Sequence, residues 1–435
     1  MEDSLLFEKL KISGWRQFRE IEINFHDRLT ILTGTNGAGK STVLKILKCH
    51  LPYEKDESFL ATPIKKEGKT SFSLGKWASE KLDKIRSKEL TENTADIGSI
   101  TYSDQRTSYL TIPEQGSIQY ALKRSIAVQV NGININSHRT LPRYEELKSI
   151  SISGIKPLDA YKDFFEIQRS YAEQSTYIKD GAARKINPVS ALKQAIISFA
   201  TFGVGNQHVS PIPELIGLYE KFQEILKTVL PKEVGFERLE IRTPEVIIIS
   251  SSGEFPIDGA SGGLMSIIQL SWQIFLQSLI YGDSRFMVLI DEPENHLHPS
   301  MQRSFLSNIV KAFPKGRFVV ATHSPFIISS VKNSYVYALR HHTSDGTTMV
   351  PLKARSVDSE MLDQIQKAGP ANDILREVLG VPVTMPEWSV EKLEEISNTF
   401  SKIEISAHSV KNLREQLKEA GLSEFFSYAM ERAVK

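Results

Sequence analysis

The chain has 435 residues, 40% of them hydrophobic and 24% charged, which gives room for two or three domains or one large elaborated one and is ordinary for a soluble globular protein. Its 53 basic and 52 acidic side chains leave a formal charge of +1, so no global field draws in nucleic acid or a membrane surface, and any such contact must be local. The single cysteine, Cys49, excludes a disulfide within the chain, the start Met1-Glu2-Asp3-Ser4 leads into no signal-type apolar core, and a cytoplasmic protein with no membrane contact is expected.

From Leu5 to Leu32, apolar and polar residues alternate, which predicts two or three strands ending in the buried run 29–33. Gly34-Thr35-Asn36-Gly37-Ala38-Gly39-Lys40-Ser41 then matches the phosphate-cradling pattern G-x-x-x-x-G-K-[ST] at every fixed position, and 41–47 reads as the start of a helix. Strand, loop and helix in this order predict a bound nucleoside triphosphate. Glycines free the backbone N–H groups for phosphate oxygens, the helix N-terminus adds positive potential, Lys40 bridges the outer phosphates, and the Ser41 hydroxyl ligates magnesium. Cys49, on the helix after the loop, reads as a small buried hydrophobe.

Residues 52–118 are punctuated by Pro52, Pro63, Gly68, Gly75, Gly98, Pro113 and Gly116; they read as loops, an amphipathic helix over 76–90 and a short strand over 99–102. A strand pair is expected over 125–135, and the polar cluster Asn136 to Arg139 marks an exit into helices. Both 158–178 and 214–230 carry core-type apolar stripes at three-and-four spacing. Strands return at 239–241 and 246–249, where the sheet is expected to resume, and again as the continuous apolar runs 286–290 and 318–321 that buried parallel strands require. The apolar stretch 264–280 is interrupted by Ser266, Gln269, Ser271, Gln273, Gln277 and Ser278 and is expected to stay inside the protein; 390–421 reads as a helical appendage. The expected domains are therefore 1–140 and 236–350 as two lobes of one α/β phosphate-loop domain with a mixed, partly parallel sheet, 141–235 as a helical insertion, and 351–435 as the appendage.

Three further motifs carry chemistry. The run 286–290 ends in Asp291-Glu292, two carboxylates at the C-terminal end of a buried strand; Asp291 is positioned to hold magnesium and Glu292 to orient and deprotonate water. Ser261-Gly262-Gly263 precedes the helix 265–279, so Ser261 can cap it while the glycines leave N–H groups bare for an anion. Thr322-His323-Ser324 comes directly after the next buried strand, where the His323 imidazole would meet a terminal phosphate or the attacking water. His296 and His298 alternate as a metal pair would, but no cysteine or carboxylate cluster stands at ligand spacing.

The order of these motifs resembles ATP-binding-cassette (ABC) ATPases. Asp291-Glu292-Pro293-Glu294-Asn295-His296-Leu297-His298-Pro299 and Ala321-Thr322-His323-Ser324-Pro325 are similar to the soluble branch that holds the overcoming-lysogenization-defect proteins and related anti-phage ATPases. The resemblance covers roughly residues 1–330 and implies ATP and Mg2+ sandwiched in a head-to-tail homodimer, with Asn36, Gly37, Ala38, Gly39, Lys40, Ser41 and Thr42 around the phosphates and Ser41 and Asp291 on the metal. It further implies Glu292 as base, His323 as switch, and Ser261, Gly262 and Gly263 on the partner's terminal phosphate, with residues 295–298 at the dimer seam. The glutamine such ATPases place near magnesium has Gln129, His138 and Arg139 as candidates, and Arg16 and Phe18 stand where relatives contact the base. The tail after His323 has no Asp-x-Asp metal pair of a fused nuclease, and His341 and His342 lie in a turn-like stretch with Gly346. The chain thus resembles stand-alone ATPase subunits such as AriA of the PARIS system and PtuA of Septu and retron systems, with the short insertion leaning toward AriA. That implies a separately encoded nuclease effector as partner, and leaves a phage-encoded trigger, a higher homo-oligomer and direct DNA contact open. A DNA-repair ATPase that binds DNA itself is the alternative, and a transporter ATPase is disfavoured because no transmembrane pair is present.

Overall fold

The computed structural model describes the chain except residues 1–3, 53, 55–57, 67–68, 76–93, 114–116, 138–143, 148–153, 173–176, 180–181, 185–186, 343–355, 380–386, 401–405, 427–428 and 431–435. It divides into two compact units, Met1–Gly369 and Pro370–Lys435. The helix expected over 76–90, and His138 and Arg139, lie outside the described residues.

The first unit opens with β1 (Phe7–Trp15), β2 (Phe18–Asn24), β3 (Leu29–Gly34) and α1 (Lys40–Lys48). Short strands β4 (Ser58–Leu60), β5 (Thr62–Lys66) and β6 (Lys69–Ser73) lead to β7 (Thr94–Tyr102), β8 (Thr107–Pro113), β9 (Gln119–Ala121), β10 (Lys123–Arg124) and β11 (Gly132–Ile135). The helical insertion contains α2 (Pro157–Ala172), the hairpin β12 (Tyr177–Lys179) and β13 (Ala182–Arg184), α3 (Pro188–Val204) and α4 (Pro213–Val229). Then come β14 (Phe236–Arg242), β15 (Glu245–Ser250), β16 (Gly253–Pro256), α5 (Gly262–Tyr281), β17 (Phe286–Asp291), α6 (Pro299–Ala312), β18 (Gly316–Ala321), α7 (Pro325–Ile328), β19 (Tyr335–His342), β20 (Ser356–Met361) and α8 (Gln364–Ala368).

Among the described residues, eleven strands build one mixed sheet in the order β10-β8-β7-β1-β2-β20-β19-β3-β18-β17-β11. The fold is that of a phosphate-loop α/β protein. The sheet has two characters, and the sequence explains both. From β10 to β2 neighbours run antiparallel, and β1 and β7 bury residues in broken alternation because one face is partly open. From β19 to β11 all neighbours run parallel, and β3 and β18 are buried at every position, as the continuous apolar runs predict. Both alternations of those strands need cover. α1 supplies it on one side with Val43, Leu44, Ile46 and Leu47, in a core shared with Met287, Leu289, Val319 and Ala321, while α5 packs against β11 and β17. α5 is long and apolar enough to cross a membrane, but most of its length is buried inside the protein, which makes it a core helix. Its Trp272 and Phe275 meet Phe222 of α4 at 4.8 and 5.3 Å between ring centroids, and Trp272 meets Phe199 of α3 at 6.1 Å, so aromatic contacts lock the helical insertion onto it.

Four expectations change. The segment 125–135 is no strand pair: β10 pairs with β8, and β11 sits at the opposite edge beside β17. The strands at 239–241 and 246–249 do not rejoin the main sheet; β14, β15 and β16 form a three-stranded sheet of their own. β20 lies between β2 and β19, carried there by the pairing of Val357 and Asp358 with β2, so the boundary placed at 350/351 cuts the sheet and the compact unit runs on to Gly369. His341 stands on β19 opposite Val357 rather than in a turn; Gly346 lies outside the described residues.

The second unit holds α9 (Ala371–Asp373), α10 (Glu387–Phe400) and α11 (Ala407–Glu419). Leu393, Ile396 and Phe400 of α10 share a core with Leu413 and Leu417 of α11 and with Leu422 and Ala429, so 390–421 is helical in its described parts, as its apolar spacing predicts.

Candidate active site

β3, β18 and β17 are parallel neighbours, so their C-terminal ends open together. This brings the phosphate loop after β3, Asp291 at the end of β17 with Glu292 after it, and His323 after β18 to one end of the sheet. Open α/β sheets bind ligands at that end. The loop has the backbone its glycines allow. Gly39 caps α1 at φ +103°, where a Cβ would lie 2.4 Å from the Phe18 ring and 2.5 Å from Gln17 Nε2. A Cβ on Gly34, at φ +135°, would lie 2.4 Å from the Leu339 carbonyl oxygen of β19. Gly39→Ala is therefore expected to combine a left-handed strain of roughly 1–2 kcal/mol with a clash against a buried ring; calorimetry should find nucleotide binding lost, and binding equal to wild type would refute this loop geometry.

Lys40 is buried, and its ammonium donates to the carbonyls of Gly34 (2.9 Å) and Thr35 (3.2 Å). Burial pushes it down to about 8, against the opposing pull of Glu292, Asp291 and Glu294. A buried cation surrounded by loop carbonyls, below exposed Thr35, Asn36, Gly37 and Ser41, suits a polyanion that reaches it from the mouth of the loop. Ser41 and Asp291 offer the hard oxygen donors that magnesium takes. Magnesium, when bound, would offset the charge of the outer phosphates.

The low value has a sign. Between about 8 and the ordinary lysine range the unfolded chain holds a proton that the folded one lacks, so the penalty Lys40 imposes on stability is present below pH 8 and relieved as pH rises. Affinity for phosphate runs the other way, because the neutral amine must regain its proton to bind. Titrating a non-hydrolysable nucleotide analogue should show affinity falling above about pH 8 by up to about tenfold per unit, and a flat profile from pH 7 to 9.5 would contradict the assignment.

Behind the loop, His323 points its Nδ1 to Lys40 Nζ at 3.4 Å and its Nε2 to Glu292 Oε1 at 3.8 Å. Burial, with Lys40 beside it, holds the imidazole below the usual histidine range while Glu292 opposes, so at neutral pH it is an uncharged group able to accept a proton or a hydrogen bond. Glu292 sits at φ +48° on the turn after β17, and Asn295 Nδ2 donates to its Oε2 at 3.1 Å. That grip leaves Oε1 on the His323 side, as a base for water would need.

Sequence reasoning missed Glu294. Its Oε1 accepts from the Thr322 hydroxyl at 2.8 Å and from the His323 backbone N–H at 2.7 Å, and Ser324 Oγ donates to Gln302 Oε1 at 2.6 Å. The two contacts fix the His323 loop from both sides. The signal was the third acid of the run 291–294, which adjoins a motif already assigned. Gln17 was missed as well; its Nε2 reaches the Gly37 carbonyl at 3.5 Å.

Other candidates divide. Gln129 is exposed, ahead of β11, at the end of the sheet away from Asp291, since Asn131 accepts from Met287 near the start of β17; it is not the magnesium-side glutamine. The chain after β11 does reach the site, with the Ser137 carbonyl accepting from Asn295 Nδ2 at 3.2 Å. Phe18 is fully buried under Gly39 and is a support of the loop, whereas the Arg16 guanidinium lies 5.8 Å from the Trp15 and Phe59 ring centroids. Ser261 caps α5 by accepting from Leu264 N–H at 3.5 Å and is exposed. The nearest atoms to a Cβ on Gly263 would be the His296 carbonyl oxygen and Met301 Sδ, so this turn lies against the 295–301 segment; no hydrogen bond among the described residues joins it to the phosphate loop. His298 accepts from Ser300 N–H at the start of α6.

A family model described as "AAA domain" matches residues 9–228, just over half of the chain, and an AAA-domain model whose description ties it to type IV toxin–antitoxin systems matches 243–329. The chain is 21% identical over 442 aligned positions to "Septu protein PtuA" of Bacillus thuringiensis, covering 95% of this chain and 97% of that one. It is 22% identical over 382 positions to "Retron Vc95 probable ATPase" of Vibrio cholerae, covering 75% and 72%. Among solved structures, the SMC head domain of Thermotoga maritima aligns over 82% of this chain and 99% of its own at 10% identity with a TM-score of 0.36, and the Pyrococcus furiosus Smc head over 86% and 99% at 14% identity with 0.40; superpositions this loose add nothing to the topology above. Of the two defence subunits the sequence resembles, PtuA is the one these relatives' names carry. With a family model over more than half its length, the chain belongs to the AAA-domain family.

Proposed function

We propose that this protein is an ATP-binding and ATP-hydrolysing sensor and scaffold subunit of a bacterial anti-phage defence system, and that it holds or activates a separately encoded nuclease. The observation that carries the reading is the meeting of Lys40, Glu292 and His323 at one sheet end, with Ser261 exposed on a separate turn of the same chain. An exposed cap with no hydrogen bond, among the described residues, to its own phosphate loop gains most by closing on the nucleotide of a second copy, because a helix N-terminus presents bare N–H groups and positive potential. That is the head-to-tail, ABC-type dimer. Lys40 and the loop amides bind and orient the phosphates, Glu292 takes the proton from water, and His323 links the two.

The defence role draws on the Septu and retron names of the relatives, and the formal charge of +1 supplies no field of its own for DNA. Purification with and without the products of neighbouring genes tests it. ATP hydrolysis by the chain alone, nuclease activity only with a co-purifying partner, and association modulated by ATP are expected. DNA degradation by the chain alone would overturn the scaffold, and tight duplex binding with a steep salt dependence would favour the repair-type alternative.

A further inference from the structure

α3 carries a lysine whose side chain is wholly inaccessible. Lys193 is 0% exposed, and its ammonium lies 2.5 Å from Asp258 Oδ2, 2.7 Å from Glu245 Oε2 and 3.3 Å from the Glu145 carbonyl oxygen. Asp258 and the Glu145 carbonyl accept hydrogen bonds from the ammonium, and Glu245 adds an ion pair. The Tyr144 ring stands 5.3 Å away and its hydroxyl donates to Glu245 Oε1 at 3.0 Å. The Glu145 carboxylate accepts from Asn187 N–H and Ser190 Oγ at the start of α3. Four segments thus close around one charge: the 144–145 stretch, α3, the start of β15 and the turn 257–259.

The last of these matters most. Asp258 sits in the single helical turn Ile257–Gly259, whose Ile257 is fully buried and whose Ile257 carbonyl receives Ala260 N–H. Ser261, the cap of α5, is the next residue. Replacing a buried ion cluster with apolar side chains is often neutral or favourable for stability, so its distinctive contribution is to fix one arrangement of the backbone rather than to hold the fold. Here the arrangement fixed is that of the turn ahead of Ser261, and the element that fixes it belongs to the helical insertion.

We infer that Lys193 is a positioning residue for the nucleotide bound by the other subunit: its buried ammonium, clamped by Asp258 and Glu245, sets the Ser261–Gly263 turn and couples it to the helical insertion. The inference rests on the head-to-tail reading above. Displacement of α3 by anything docking on the insertion then reaches the cap through this ion cluster, which holds the turn ahead of Ser261, beside the Phe199–Trp272 contact that reaches the body of α5.

The test uses the full chain carrying Glu292→Gln, so that ATP persists. In Lys193→Met, and in the isosteric Asp258→Asn as the variant that keeps the fold, fluorescent-nucleotide affinity at protein concentrations that keep the chain monomeric should stay within about threefold of the parent, while ATP-dependent dimerisation measured by sedimentation weakens about tenfold or more. A lower melting temperature with parental dimerisation would mean a structural role alone and overturns the inference, as does a parallel loss of nucleotide affinity and dimerisation. A parent that binds ATP yet stays monomeric sinks the head-to-tail reading itself, and this inference with it.

Discussion

Lys40→Ala should lose nucleotide affinity by about 30-fold or more while leaving the melting temperature of the free protein unchanged or slightly raised. The two halves have different causes. In the complex, the lysine is the buried cation that meets the phosphates, and removing one partner of such a desolvated contact costs roughly 2–5 kcal/mol, which is about 30-fold to several thousand-fold in affinity. In the free chain the same ammonium is held away from water, which lowers its pKa to about 8, and its gains are the Gly34 and Thr35 carbonyls and the pull of Glu292, Asp291 and Glu294. Trading that penalty for a small void beside exposed loop residues is close to neutral. Calorimetry with a non-hydrolysable analogue and a thermal melt on the same preparation separate the effects. A variant that binds like wild type removes the phosphate-site assignment, and one that binds poorly only because it has unfolded shows itself in the melt.

How much of the site and fold could be read from the sequence depends on how local each signal is. The strand, loop and helix around 34–41 were legible because the pattern lies in eight consecutive residues whose glycines, lysine and serine each meet a separate local demand. Asp291 and Glu292 were legible because a continuous apolar run announces a buried parallel strand and so places the residues at its C-terminal end. β20 was not: its pairing of Val357 and Asp358 with β2 spans well over three hundred positions, and nothing within 356–361 says which edge it will fill. The three-stranded sheet of β14 to β16 was misassigned for the same reason, since alternation predicts a strand and is silent about its neighbour. Glu294 escaped because its role is set by where β18 delivers Thr322 and His323, a tertiary fact. Lys193 drew no notice in the sequence, because what sets it apart is the arrival of Asp258 and Glu245 around it, a tertiary fact of the same kind.

Glu292→Gln should keep nucleotide affinity within a few-fold of wild type and lower turnover about 10²- to 10⁴-fold, the range a positioned general base contributes. Glutamine keeps the length of the side chain, an oxygen to accept from Asn295 Nδ2 and the same tolerance for the φ +48° turn; it gives up only the ability to take a proton. With ATP uncleaved, subunits that close on it have no hydrolytic route to reopening, so the dimer should accumulate in a sedimentation experiment where wild type returns to monomer as ATP is consumed. Glu294→Gln supplies the control for role. That carboxylate is raised by burial and spends its Oε1 on Thr322 and His323, so it holds the imidazole in place rather than facing water, and its glutamine variant should retain turnover to within about 10- to 30-fold, a loss of the size one strained hydrogen bond accounts for. Measured together, the two variants assign the base. A drop of three orders of magnitude in Glu294→Gln beside a mild one in Glu292→Gln would exchange their roles, and equal, modest losses in both would leave neither as the group that deprotonates water.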